Sequence, residues 1–191
     1  MESKFFTFIK PYLAYIDGGH FFRKPFSWLY IVMAIISLLI PLAVLYRAVD
    51  IGILDMQGKI VLVFILFWII LAFAGWVGFQ QWWDRRTKVG VSSFEGDDFT
   101  ATPAFSHFIQ TFGEWFGTWL GLVGCGYALL STIFLGGSNG YLSMQLGIPY
   151  LSTGVVSIIT MPIYGFLIVV FSRFISEQIR ALAAIANNTK K

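Results

Sequence analysis

The chain has 191 residues, of which 57% are hydrophobic and 12% charged, with a mean hydropathy of +0.75. That charged share is about half the usual value for a soluble domain, so composition excludes a soluble globular protein and indicates one that crosses a bilayer several times. One cysteine, Cys125, excludes an intrachain disulfide, and two histidines are too few for a His-rich metal or haem site, so no cofactor is expected.

The first fifteen residues lack a signal-peptide pattern, because Thr7, Lys10 and Pro11 interrupt Phe5, Phe6, Phe8 and Ile9. Residues 5–16 place Phe5, Phe8, Ile9, Tyr12, Leu13 and Ile16 near helical period ahead of Gly18-Gly19, which predicts a helix lying on the membrane surface within a segment covering residues 1–24. Four stretches are long and apolar enough to span: residues 26–46, 60–79, 112–135 and 150–172. Continuous apolarity favours helices over the alternating strands of a barrel. Pro41 and Pro162 fall inside the first and last spans, where each predicts a kink. Between the second and third spans, residues 90–104 form an acidic loop with Glu95, Asp97 and Asp98, without the ligand spacing of a calcium loop. Residues 136–149 are uncharged and turn-rich, and predict a hairpin around Asn139-Gly140. After the fourth span, Ile175, Ile179, Leu182 and Ala186 continue a helical stripe, so that span is expected to run on as one helix to about Ala186, within a cytoplasmic segment 173–191.

Charge decides orientation. Lys4, Lys10, Arg23 and Lys24 precede span 1; Arg85, Arg86 and Lys88 separate spans 2 and 3; Arg173, Arg180, Lys190 and Lys191 follow span 4. Only Arg47 and Lys59 lie on the other side. The positive-inside rule then puts both termini in the cytoplasm, and Trp28, Trp82 and Trp83 sit where interfacial aromatics belong. The expected fold is all-α: a four-span bundle with an N-terminal interfacial helix and a cytoplasmic C-terminal extension, as one membrane domain.

The stretch GEWFGTWLG carries Gly113, Gly117 and Gly121 at every fourth position. Such a face is costly in water, but in lipid small residues let helices approach closely. Cys125 prolongs this glycine-zipper stripe; Ala74 and Gly78 on span 2, and Gly154 and Gly165 on span 4, offer matching small surfaces. The face serves either intramolecular packing of spans 2 and 4 against span 3, or a homo-oligomer contact.

Glu114 is the acid of most interest, about 15 Å into its helix if that helix starts near Ala104. It is interfacial if residues 104–112 lie flat, and buried if they stand upright; a buried intramembrane carboxylate is a functional candidate, with Arg85, Arg86 or Arg173 as partner. His107 and Gln110 fall near the same face, and such a row suits a proton relay better than a metal, for which the ligands are too few. Asp17 and His20 share a short turn. Arg173, Glu177 and Arg180 are expected to dock a partner from the C-terminal helix. No nucleotide loop, GxSxG or HExxH motif is present.

The tail RFISEQIRALAAIANNTKK resembles the ending of small, uncharacterised multi-pass bacterial inner-membrane proteins, through Arg173, Glu177, Ile179, Leu182, Ile185 and Asn187 or Asn188. The resemblance covers about twenty residues; it implies a bacterial source and no activity. Three readings follow: a non-enzymatic accessory or structural subunit packing with itself or a larger membrane complex; a small channel or transporter subunit using Glu114; and a membrane-embedded lipid-acting enzyme built on Asp17, His20, His107 and Glu114. No nucleic-acid partner is expected.

Overall fold

Apolar side chains drive these stretches into lipid, and the backbone, with no water to bond, closes its hydrogen bonds within helices. The computed structural model describes residues 9–17, 20–89, 101–137 and 140–189. Among them there is no strand. The elements are α1 (Lys10–Asp17), α2 (His20–Asp50), a 3-10 turn (Ile53–Asp55), α3 (Gly58–Val89), α4 (Ala101–Leu135), α5 (Gly140–Gln145) and α6 (Val155–Asn188). α2, α3, α4 and α6 are each long and apolar enough to cross a membrane. This is a multi-pass membrane protein.

All four long helices extend past their expected spans at one end or both. α4 begins at Ala101, ahead of the apolar span expected from residue 112, so residues 104–112 continue the same helix and stand upright with it. α6 starts at Val155 and runs without interruption to Asn188. It begins later than residue 150 because Gly154 takes φ +97, a conformation that ends the preceding loop and that side-chain-bearing residues rarely adopt. In α1, Ile9 just ahead of it and Tyr12 and Leu13 within it are exposed, whereas Phe5 and Phe8 lie outside the described residues. The acidic loop, with Glu95, Asp97 and Asp98, also lies outside them.

The helices form an open row and not a closed ring. α4 sits between α3 and α6, and α2 lies on the far side of α3; among the described residues α6 makes close backbone approaches only to α4. Small residues explain the α4–α6 pairing. A Cβ at Gly165 would overlap the carbonyl oxygen of Gly117, and one at Gly113 would overlap the Ser172 side chain. The small face of α3 divides between two neighbours, α2 at Gly75 and α4 at Gly78, where it meets Trp115 and not the glycine stripe. A Cβ at Gly75 would stand 2.7 Å from the Ser37 carbonyl oxygen on α2, and one at Gly78 would meet the Trp115 ring and Ser37. Pro41 has no N–H to offer the Ser37 carbonyl four residues earlier, and the bare Gly75 backbone comes in beside it. Trp68 on α3 donates its indole N–H to the Pro41 carbonyl at 2.9 Å.

Two cores result. One gathers Val44, Ile53, Phe64, Phe67, Trp119 and Tyr127 with Leu142, Leu146, Ile148 and Leu151 from the connection between α4 and α6. Asn139, where a hairpin turn was expected, lies outside the described residues; from Gly140 the connection is the short helix α5 and a turn, whose Leu142, Leu146, Ile148 and Leu151 fold inward. The second core gathers Tyr30, Ala34, Trp82, Val89 and Trp115 at the opposite end. α2 begins, α3 ends, α4 begins and α6 ends at that second end, since Tyr30 meets His107 and both Arg85 and Arg173 meet Glu114.

Candidate functional site

The upright start of α4 carries Ser106, His107, Gln110, Thr111 and Glu114 into the molecule at the end where three other helices converge. Glu114 is 5% exposed. Its Oε2 accepts from Arg85 of α3 at 2.9 Å, and its Oε1 from Arg173 of α6 at 2.7 Å. Gln110, one turn earlier, donates its amide to Oε1 at 2.9 Å. One carboxylate thus ties three helices together with charge-assisted hydrogen bonds on both oxygens.

The network continues along α6. Arg180 donates to the side-chain Oε1 of Gln110 at 2.6 Å and to Ser176 Oγ at 2.8 Å. Ser106 donates to the Ser176 carbonyl at 2.7 Å, with the two hydroxyls 2.8 Å apart. Ser172, Ser176 and Ala183 are the buried positions of α6 here, so small and hydroxyl residues permit the close approach and supply the bonds. Two guanidinium groups, Arg85 and Arg173, hold the single carboxylate, and a third, Arg180, joins the cluster through Gln110. The side chain of Arg173 is 53% exposed and that of Arg85 25%, so the cationic side of the cluster opens outward.

His107 takes no part in this network. It turns toward α2, where its Nδ1 shares a hydrogen bond with the fully buried Tyr30 hydroxyl at 2.7 Å; Thr111 lies beside both. Tyr30 packs edge-on to Trp82, their centroids 5.1 Å apart, and Trp82 in turn approaches Trp115. The row of His107, Gln110 and Glu114 therefore divides between two neighbours, because seven residues of helix rotate His107 and Glu114 slightly apart and different helices stand on either side. Among the described residues no group of three or more His, Cys, Asp and Glu side chains is placed to hold a metal. The side chains of Asp17 and His20 lie outside the described residues.

Of the residues expected to dock a partner, Arg173 and Arg180 reach inward to α4, and Glu177 is exposed. Of the expected packing residues, Gly113, Gly117 and Gly165 stand in the α4–α6 contact, Ala74 is buried, and Gly78 receives Trp115. Gly154 has no atom within 4 Å of where its Cβ would be; its role is conformational and not one of packing. Gly121 and Cys125 line a trough of about 670 Å³ between α3 and α6. Sequence reasoning missed Tyr30, Thr111, Ser106, Ser172 and Ser176. The one signal for the serines was their spacing from Gly165 and Ala183, which continues the small stripe of α6.

The chain matches no protein-family model, no curated protein and no solved structure.

Proposed function

We propose that the protein is a non-enzymatic accessory or structural subunit of a bacterial cytoplasmic membrane, with the Glu114 end of the molecule facing the cytoplasm. One observation carries the reading: both oxygens of Glu114 are engaged, by arginines from two helices and by Gln110. A carboxylate held in this way is a clamp. A coupling group that binds and releases ions or protons needs free lone pairs at some stage, and here Arg85 and Arg173 compete for them. The distribution of Lys and Arg supports the orientation, and the exposed Ile9, Tyr12 and Leu13 suit a helix lying on the same leaflet.

The large outward apolar surface of α6, including Phe166, Phe171 and Phe174, faces lipid or a larger membrane partner. The α4 glycine face is occupied by α6 of the same chain, which supports intramolecular packing over an oligomer contact there. The experiment is reconstitution of the purified chain in vesicles alongside unfolding in detergent. Glu114→Gln should lower stability, and neither protein should pass ions or protons above protein-free vesicles. Flux through the wild type that Glu114→Gln abolishes would overturn the reading in favour of a channel subunit.

A further inference from the structure

Gln110, Glu114, Thr118, Gly121 and Cys125 follow one another along α4 at intervals of three or four, so they share one face. α3 flanks that face on one side and α6 on the other. At one end it bears Glu114 with Arg85, Arg173 and Arg180. Seven to eleven residues further on, a rise of about 10–17 Å, it opens into the trough of about 670 Å³. Ile69, Ile70 and Phe73 form one wall, Pro162 stands on the other, and Gly121 and Cys125 form the floor; the lining is almost wholly apolar. The trough is open along one side, and its floor is low where α4 carries Gly121, Cys125 and Gly126, with Thr118 and Leu122 beside them.

Cationic end and apolar trough therefore lie in line on one surface. Half the hydrocarbon thickness of a bilayer is about 15 Å, which matches the separation between them. The end cluster has two more positive charges than negative ones, counting three arginines against Glu114. Arg173 meets Glu114 through Nε and is half exposed, which leaves the outer edge of its guanidinium available to an anion. A second helix in the trough would satisfy the apolar walls but not the excess charge. A molecule with one anionic head and a long chain satisfies both.

We propose that this face binds one anionic phospholipid, with its phosphate on Arg173, Arg85 and Arg180 and an acyl chain in the trough. The assignment requires only that the four helices lie in a bilayer, and it stands apart from the subunit reading. A zwitterionic lipid of equal chain length binds less well, because its cationic head group meets the arginines.

Native mass spectrometry of the full chain in mild detergent tests this, with equimolar phosphatidylglycerol and phosphatidylcholine of identical chains. The expected result is one retained phosphatidylglycerol, in several-fold preference over phosphatidylcholine. Arg173→Gln should remove the preference, and Cys125→Phe, which fills the trough, should lower retention of both lipids. A chain-length series needs no variant: short-chain phosphatidylglycerol should be retained several-fold less, and inorganic phosphate should not displace the long-chain lipid. Equal retention of the two lipids by the wild type would overturn the proposal. Displacement by inorganic phosphate, or indifference to chain length, would reduce the site to an ion contact and also overturn it. A protein dimer carrying no lipid would show that a second copy fills the trough.

Discussion

Gly113, Gly117 and Gly121 look equivalent in the sequence, yet the structure assigns them different tolerances. A Cβ at Gly117 would overlap the Gly165 carbonyl oxygen and stand 2.8 Å from Val169 Cγ2 and 3.2 Å from Val169 N. Two of those three atoms are backbone, so relief requires α6 to retreat. A Cβ at Gly121 would have Pro162 Cα at 3.6 Å as its nearest neighbour, an ordinary contact. Overpacking of this kind costs about 1–3 kcal/mol. Alanine returns about 1 kcal/mol through helix propensity at either position. Gly117→Ala should therefore lose up to about 2 kcal/mol net, while Gly121→Ala should be neutral or gain up to about 1 kcal/mol. Gly113→Ala, which meets Ser172, should fall with Gly117→Ala. The assay is unfolding of the detergent-solubilised chain by sodium dodecyl sulfate, followed by helical circular dichroism. If all three variants shift the midpoint alike, the assigned α4–α6 contact is wrong.

Other expectations concern the polar end and the folded-in connection. Glu114→Gln leaves Arg85 and Arg173 without a counter-charge; partial exposure of both arginines reduces the cost of a broken buried pair to about 2 kcal/mol, read in the same unfolding assay. Arg85→Gln should cost more than Arg86→Gln, because Arg86 stacks on the Trp83 ring 3.8 Å away, a contact worth about 0.5–1 kcal/mol at an exposed site; equal midpoints would contradict the clamp. Tyr30→Phe removes the hydroxyl facing His107 and should cost about 1–2 kcal/mol, with an unchanged midpoint counting against that pairing. Leu146→Asp, at a buried position, should destabilise strongly, and Met144→Asp, at an exposed one, should not; protease sensitivity of the connection between α4 and α6 would report the difference.

The spans were legible because lipid imposes one simple requirement, a long apolar helix, and composition alone meets or fails it. The small stripe of α4 was legible for a related reason: glycines four apart on a helix have a use in lipid and little in water. The partner of each face was not. Ala74 and Gly78 matched the α4 glycines in pattern, and Gly78 does face α4, but at Trp115 and not at the glycine stripe, while Gly75 meets Ser37 of α2. Helical period tells which residues share a face, and says nothing about which neighbour stands opposite. The same gap separated Glu114 from its partners. Arg85 and Arg173 were two of three candidates, and only the packing of α3 and α6 against α4 brings both to one carboxylate.

By itself, the order of residues determined that this chain enters a bilayer, where it does so, and which helix faces are narrow enough for close contact, since each property depends on local composition and period. The tertiary structure alone decided that α4 stands upright at its start, that Glu114 is clamped while His107 turns away to Tyr30, and that a charged end and an apolar trough share one surface. Those outcomes depend on residues 29 to 77 positions apart in sequence meeting in space, and no local pattern encodes such a meeting.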